Sequence, residues 1–254
     1  MATKPFVKQF DIHWYELLDS TNTELSDLLK KDQIEEGFCI AAKSQTKGKG
    51  QGKNSWESEA GKNLCFSFLL RPDFLPPENQ FFLNQVVALA TRDFCSSIAQ
   101  NPHINIKWPN DIYVDNKKLG GILIENRILG NTFESCIVGI GININQKIFT
   151  SDAPNPISIF HLTQKEARLK PLLIQYGKIF FLWYDLLKKR EFSAIESAYK
   201  KNLLGINQQR KFRAGNENFS ATIIGTDPFG RLILKDESQN LRLFGFKEVT
   251  FLFD

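Results

Sequence analysis

The chain changes its sequence pattern near residue 205, and this change constrains the fold more than any other feature. Before it, apolar runs of strand length alternate with segments whose apolar residues recur at helical spacing. After it, residues 210–254 contain five short alternating runs separated by turn-forming segments. Such spacing is typical of a small all-β barrel. We therefore predict an α/β (α+β) domain over residues 1–205 and a small β-barrel domain over residues 206–254.

The first of these domains is predicted to mix strands with helices. A serine/threonine cap and leucines at helical spacing indicate a helix over residues 20–36. Strand-like runs are FCIAAKSQ, NLCFSFLLR, INIKW, KLGGILIENRI and FESCIVGIGINI. Further helices are expected after residue 80 and near residues 171–190 and 191–203. The apolar stripe of the 171–190 helix is predicted to be core.

Composition excludes several classes of protein. The 254 residues have a net charge of only +4, which does not by itself indicate a nucleic-acid partner. No apolar run approaches the length of a membrane span, and no secretory h-region follows the start. The cysteines and histidines are too scattered for a zinc or disulfide framework: Cys39, Cys65, Cys95, Cys136, His13, His103 and His161. We expect reduced cysteines and a cytoplasmic location without membrane association.

Residues 45–56, QTKGKGQGKNSW, join two predicted strands with a basic, glycine-rich segment. A P-loop requires Ser or Thr after its lysine, but Asn54 follows Lys53. The dinucleotide fingerprint fails because Lys53 stands where its third glycine is required, and because no strand-to-helix context is predicted. Backbone N–H groups exposed by glycine, with lysines nearby, still favour binding of phosphate or carboxylate. A solvated basic loop is the alternative.

Residues 107–125, KWPNDIYVDNKKLGGILIE, place polar groups at both ends of a predicted hairpin. The hairpin is expected to bring Lys118 near Asn110 and Asp111, and the glycines after Lys118 allow a ligand to approach the backbone. Further along, Asn143 lies in the apolar run VGIGININ, so it must bond locally or face a ligand.

Taken in order, these segments resemble the biotin protein ligases. The resemblance rests on S20-T21-N22, Q45-T46-x-G48-K49-G50 with W56, K107-W108-P109-N110-D111 followed by K118-L119-G120-G121, and G139-I140-G141-I142-N143. It extends from about residue 20 to the C-terminus. It implies a catalytic domain with a class II aminoacyl-tRNA synthetase-like mixed sheet, followed by an SH3-like barrel.

The resemblance also implies a reaction in two steps. Biotin and ATP form biotinyl-5′-AMP with Mg²⁺ as cofactor, and a lysine of a biotin carboxyl carrier protein then accepts the biotinyl group. About twenty residues precede Ser20, too few for the winged helix that some members carry, so DNA binding is not expected. A monofunctional ligase, monomeric or homodimeric, is the expectation.

Site residues follow from the same resemblance. Lys118 and Asp111 are the predicted catalytic residues. The predicted biotin-binding residues are Ser20, Thr21, Asn22, Gln45, Lys49, Gly50, Gln51, Lys118, Gly120 and Gly121. The predicted ATP and adenylate residues are Gly48, Lys49, Lys53, Trp56, Asn110, Lys118 and Asn143. Asp111 and Asn143 are the predicted Mg²⁺ ligands. Structural alternatives are helix capping for Ser20 and Thr21, a turn cap for Asp111 and a core anchor for Trp56.

The glycine-rich segment departs from the usual family pattern G-R-G-R-x-G-R-x-W. Here Lys49 replaces the first arginine, Gln51 replaces the second, and Lys53 stands where a glycine is expected. Lysine binds phosphate as a point charge and not in a bidentate manner, so this segment is expected to hold the adenylate less tightly, or to do so through Lys53.

Two other functions are compatible with parts of the sequence. A lipoate or octanoyl ligase or transferase of related fold would also use a lysine and a glycine-rich loop. A nucleic-acid binding module would suit the mild basicity and the barrel-like end, although that end lacks interleaved surface aromatic and basic residues.

Overall fold

The computed structural model describes residues 9–52, 54–150 and 155–253. The strands are β1 (Asp11–Leu18), β2 (Phe38–Gln45), β3 (Leu64–Leu70), β4 (Ile104–Lys107), β5 (Asp111–Val114), β6 (Lys117–Leu129), β7 (Thr132–Ile142), β8 (Gln209–Ala214), β9 (Glu217–Thr226), β10 (Leu232–Asp236), β11 (Leu241–Phe244) and β12 (Thr250–Leu252). The helices are α1 (Thr21–Lys31), α2 (Gln80–Ala99), α3 (Ile159–Thr163), α4 (Leu169–Lys188) and α5 (Phe192–Lys201).

The larger sheet has seven strands in the order β1-β2-β3-β7-β6-β5-β4. Strands β1 and β2 are parallel and are connected through α1, whereas every other neighbouring pair is antiparallel. This mixed pairing, with a separate antiparallel sheet at the C-terminal end, confirms the predicted fold class.

The two faces of this sheet are separated by the period-2 alternation of its central strands. Phe66 and Phe68 of β3 face the main core, where α2, α4 and α5 pack. Leu69, on the opposite face, packs with Leu25 of α1 in a smaller cluster. Ser67 therefore lies on the α1 face of a strand whose residues are all buried.

Helix α4 confirms the prediction that its apolar stripe is core. Tyr176, Phe180 and Tyr184 are fully buried, with Phe180 stacked on both tyrosines at centroid distances of 6.4 and 5.4 Å. Aromatic side chains bury the most area per residue, so this row supplies much of the core under the sheet. The main core thus occupies the face opposite α1, whereas the α1 face holds the smaller apolar cluster together with buried polar groups.

The smaller sheet has five antiparallel strands in the order β11-β10-β9-β8-β12. It packs directly against the β4–β5 end of the larger sheet. Trp108 Nε1 donates to the carbonyl oxygen of Gly230 over 2.8 Å, and Phe253 stacks on Tyr113. Helix α5 ends at Lys201 and β8 begins at Gln209, on either side of the predicted boundary. Whether each part is an independent domain stays a prediction.

None of the helices in the described ranges is long and apolar enough to cross a membrane. The four cysteines are buried and free. Burial raises the pKa of the Cys136 thiol to about 12, so this group stays protonated near neutral pH.

Candidate active site

A cavity of about 350 Å³ opens between the start of α1, the β5–β6 hairpin, β7 and the C-terminal sheet. Its volume is in the range of small-molecule sites. The predicted residues that line it are Ser20, Thr21, Asn22, Gln45, Lys49, Gly50, Gln51, Trp56, Asn110, Asp111, Lys118 and Gly121. Gly48, Gly120 and Asn143 are not part of this lining, and Lys53 lies outside the described residues.

One end of the cavity is lined by Thr21, Asn22 and Gln45, which belong to a network of polar side chains here called the polar floor. The network also contains Ser67 and the exposed Glu125, neither of which is part of the lining. Ser67 Oγ lies 2.7 Å from Thr21 Oγ1 and 2.5 Å from Asn22 Oδ1. Asn22 Nδ2 donates to Glu125 Oε2 over 2.7 Å, and the Thr21 N–H donates to Gln45 Oε1 over 2.8 Å. Since Thr21, Asn22 and Ser67 are buried, these bonds hold their polar groups in place before any ligand arrives.

Capping of α1 does not use the Ser20 side chain. Ser20 is the N-cap residue by its extended backbone, yet its hydroxyl makes no capping bond. The side chain is buried and lines the cavity. It is therefore available to a ligand, and the helix start presents its backbone N–H groups at the same end of the cavity.

Gly139 on β7 is required by the polar floor. A Cβ atom at this position would lie 1.9 Å from Asn22 Oδ1, much closer than any real contact. Gly121 on β6 is different, since a Cβ there would lie 3.4 Å from Asp111 Oδ1 and 3.5 Å from Lys118 Nζ, which are ordinary van der Waals distances. Of these two glycines, Gly139 is thus the one that makes room for a polar side chain.

Lys118 and Asp111 form an ion pair beside the polar floor, with Nζ and Oδ1 2.7 Å apart. Their side chains are 25% and 19% exposed, so the pair is partly desolvated. An irregular register between Ile112 and Tyr113 sets Lys118 opposite Tyr113 and Asp111 opposite Gly121. The carboxylate orients the ammonium, whose remaining protons are free to meet an anion in the cavity.

A second lysine, Lys107, lies behind this pair. Its ammonium is 5.0 Å from the centroid of the Phe251 ring and 5.5 Å from that of Tyr113. The pKa of Lys107 is lowered, mainly because its side chain is buried. The negative charge of Asp111 acts against this shift, and the positive charge of Lys118 adds to it. Lys107 thus adds positive charge at low dielectric to the same corner of the cavity.

The two predicted asparagines have structural bonds of their own. Asn110 lines the cavity and donates from Nδ2 to the Ile122 carbonyl oxygen over 2.5 Å. Asn143 Nδ2 donates over 3.0 Å to the carbonyl oxygen of Ile157, which holds the segment before α3 against the sheet. The structure thus brings Asn110, and not Asn143, into the cavity.

Residues 48–52 and 54–56, here called the glycine loop, form the two arms of a small hairpin beside the cavity. The hairpin is closed by a β-bridge between Lys49 and Ser55 and by a bond from the Gly50 N–H to the Asn54 carbonyl oxygen, 2.8 Å long. At its base the Trp56 ring lies on Gly141, where a Cβ would come within 2.3 Å of the ring. The loop is anchored at Trp56 and exposed towards its tip.

Charge in the lining is strongly one-sided. Among the described lining residues, four are lysines (Lys49, Lys107, Lys118 and Lys247) and Asp111 is the one carboxylate. Clefts lined by one sign of charge concentrate ligands of the opposite sign. The cavity therefore suits a polyanion.

Sequence reasoning missed several of these residues. Ser67 had a weak signal, being one hydroxyl inside an apolar run. Lys107 stood in the quoted motif but was given no role. Glu125 ends the quoted segment 107–125 but was given no role, and Lys247 lies in a segment where no motif was found. Their positions follow from strand pairing and from the packing of the two sheets.

Comparison with known proteins places the chain in a class of enzymes that attach a cofactor to a protein through the carboxyl group of the cofactor. Residues 14–143, which contain the polar floor and the Lys118–Asp111 pair, match the family described as Biotin/lipoate A/B protein ligase. The chain belongs to this family.

Individual relatives agree with that assignment. The chain is 28% identical over 228 residues to the Bifunctional ligase/repressor BirA of Bacillus spizizenii, covering 88% of this chain and 69% of that protein. It is 32% identical over 167 residues to the Biotin--protein ligase of Homo sapiens, covering 63% and 22%. The solved structure of the biotin protein ligase from Aquifex aeolicus in complex with biotin and ATP superposes with a TM-score of 0.78 at 26% identity, covering 95% of this chain and 98% of that one.

Proposed function

We propose that this protein is an ATP-dependent ligase that converts biotin to biotinyl-5′-AMP and transfers the biotinyl group to a lysine of a biotin carboxyl carrier protein. The observation that carries the proposal is the Lys118–Asp111 ion pair, which lies in a lysine-rich cavity beside the polar floor. Relatives named biotin--protein ligase, and a superposable structure holding biotin and ATP, support the choice of substrates.

The polar floor is the proposed site for the ring end of biotin. The ureido group is planar, with two N–H donors and one carbonyl acceptor, so it needs partners of both kinds. Ser20, Thr21 and Asn22 present hydroxyl and amide groups at the buried end of the cavity, and Gln45 adds another amide. With the ring held there, the biotin carboxylate extends towards Lys118.

Adenylate formation then takes place at Lys118. A carboxylate oxygen of biotin attacks the α-phosphorus of ATP, the bond from that phosphorus to the bridging oxygen breaks, and pyrophosphate leaves with the electron pair. Both reactants are anions, so a fixed cation at the junction stabilises the transition state more than it stabilises either reactant alone. Asp111 is the positioning residue for that cation.

The residues present fit a Mg²⁺ ion bound mainly through the nucleotide. Mg²⁺ commonly uses one or two protein carboxylates together with substrate phosphates, and it would neutralise phosphate charge here. Asp111 is the proposed protein ligand, with the Asn110 side chain nearby. Within the described ranges, no cluster of three or more His, Cys, Asp or Glu residues forms a site for a metal on its own. Asn143 is not proposed as a ligand, because it is not part of the cavity lining.

Transfer requires that the acceptor lysine of the carrier reach the acyl carbon of the adenylate. Its neutral amine attacks that carbon, the bond to the phosphate oxygen breaks, and AMP leaves. We place the entry for the carrier on the side of the glycine loop, whose residues line the cavity and are exposed towards the tip of the loop. Whether the acting form is a monomer or a homodimer stays a prediction.

Labelling of a carrier tests the proposal. The protein is incubated with ATP, Mg²⁺, an apo biotin carboxyl carrier domain and either biotin or lipoate, and the mass added to the carrier is measured by mass spectrometry. We expect a signal that requires both ATP and biotin, and none when lipoate replaces biotin. Equal modification with lipoate would support the lipoate ligase alternative, and no modification at all would refute the proposal.

A further inference from the structure

The C-terminal sheet contributes a cation to the cavity that no sequence motif indicates. Lys247 lines the cavity together with Phe246, on the turn that connects β11 to β12. Its ammonium lies beside the tip of the glycine loop, since a Cβ added to Gly52 would be 2.3 Å from Lys247 Nζ. The two structural units therefore meet at the mouth of the cavity, with a lysine at the meeting point.

Lys247 has a backbone conformation that ordinary side chains avoid. Its φ angle is +66°, in the left-handed region. The Glu248 N–H donates to the Gly245 carbonyl oxygen, so Lys247 is the third residue of a four-residue turn, a position where glycine is favoured when φ is positive. An unfavourable backbone at such a place is a reason to look for a function of the side chain.

The Lys247 ammonium is not used within the described part of the chain. It makes no ion pair there, and its nearest aromatic contact is the Phe246 ring at 5.6 Å. The adjacent carboxylate is occupied elsewhere, because Glu248 Oε2 accepts from the Gly245 N–H over 2.6 Å. An exposed, unpaired cation at the mouth of a cavity already rich in lysine favours a polyanionic ligand and disfavours a neutral one.

We infer that Lys247 is a nucleotide-binding residue that contacts the phosphate chain of ATP from the C-terminal sheet, across the tip of the glycine loop. This inference rests on the proposed function for the identity of the nucleotide. Biotin, bound at the opposite, buried end of the cavity, makes no contact with Lys247. The contact also links the loop tip to the C-terminal sheet through the bound phosphates.

Binding of α,β-methylene ATP, whose α–β bridge is not cleaved, tests the inference by calorimetry with Mg²⁺ and biotin present. We expect Lys247→Gly to weaken nucleotide binding by about tenfold, as for loss of one charge-assisted hydrogen bond. Glycine suits the left-handed backbone, so the melting temperature of this variant should not fall below that of wild type. Lys247→Arg should bind nearly as well as wild type, and Lys235→Met, on β10 away from the cavity, serves as the control.

Unchanged nucleotide affinity in Lys247→Gly would overturn the inference, as would an equal loss in Lys235→Met. A lowered affinity for biotin alone in Lys247→Gly would also overturn it, since that result would indicate a general disturbance of the site. Biotin-dependent release of pyrophosphate from ATP by the wild type is measured in parallel. Its absence would refute the proposed ligase function, while the nucleotide affinities would still decide the role of Lys247.

Discussion

The polar floor and the glycine loop enclose the same cavity but are built in opposite ways. The floor is made of side chains on α1, β2, β3 and β6, most of them buried and bonded to one another. The loop is a short hairpin, exposed towards its tip and held by a few backbone bonds and by the contact of Trp56 with Gly141. Regions with few buried contacts open at low free-energy cost. The difference indicates a site whose floor is formed in advance and whose cover is completed by the ligand.

The largest effect is expected where the two regions meet. Lys118→Ala removes the cation at the junction, and we expect the rate of adenylate formation to fall by about 10²–10³-fold, as when a preorganised transition-state contact is lost. Pyrophosphate release measured in a single turnover gives this rate. Lys117→Ala, an exposed neighbour on the same hairpin, is the matched control and should retain the wild-type rate. A wild-type rate in Lys118→Ala would refute the assigned role.

Damage to the floor should appear in biotin affinity. Gly139→Ala places a methyl group against the Asn22 amide, and overpacking of this kind destabilises the fold by about 1–3 kcal/mol. Because the Asn22 amide must move to relieve the contact, we expect biotin to bind at least about tenfold more weakly, as for loss of one hydrogen bond. Calorimetric titration with biotin, without nucleotide, measures the loss. Gly61→Ala is a useful comparison because a Cβ there has nothing within 4 Å, so only its left-handed backbone is strained. Equal biotin affinity in Gly139→Ala and wild type would show that Asn22 is not needed for biotin.

The anchor of the loop is tested by a double-mutant cycle. Gly141→Ala should displace the Trp56 ring and shorten the lifetime of the bound adenylate, whereas Trp56→Ala removes the anchor itself. Because the two residues touch, their effects should not add, with an interaction energy of about 0.5–3 kcal/mol. Release of labelled adenylate from the enzyme provides the lifetimes. Strictly additive effects would contradict a direct anchoring contact.

The smallest effect is expected at the exposed end of the loop. Lys49→Ala should speed the loss of the adenylate into solution by about tenfold or less, because a single exposed lysine contributes little. Lys53→Ala is predicted from the sequence to act in the same way. Lys43→Ala, an exposed lysine of β2 paired with Glu16, is the control. Unchanged lifetimes in both loop variants would remove the loop lysines from adenylate retention.

Sequence reasoning recovered the elements whose pattern is local. The run FCIAAKSQ is strand β2 itself, and α1, α2 and α4 begin within a few residues of their predicted starts. Strands β1 and β5 were not predicted. Both carry polar or charged residues among the apolar ones, and their pairing depends on neighbours distant in sequence. Helix α3, with five residues, is too short for a periodic signal.

The same distinction holds for the site. Lys118 and Asp111 share a hairpin, so their proximity could be predicted from local sequence. The distance of 2.7 Å between Nζ and Oδ1 agrees with that prediction. Ser67 meets Asn22 only because α1 packs on the face of β3 that carries it, and Lys247 reaches the cavity only because the two sheets pack together. Contacts between distant segments depend on packing that no short motif encodes.

Amide hydrogen exchange of the free protein, repeated with a biotinyl-adenylate analogue bound, tests the contrast between floor and loop most directly. We predict that the amides of Thr21, bonded to Gln45, and of Ser67, in the middle of the sheet, are protected in both states. The amides of Gly50 and Asn54 lie in a short exposed hairpin that opens readily in the free protein, and we predict that they become protected only when the analogue is bound. Loop amides already protected in the free protein, or floor amides that exchange freely without ligand, would contradict the account.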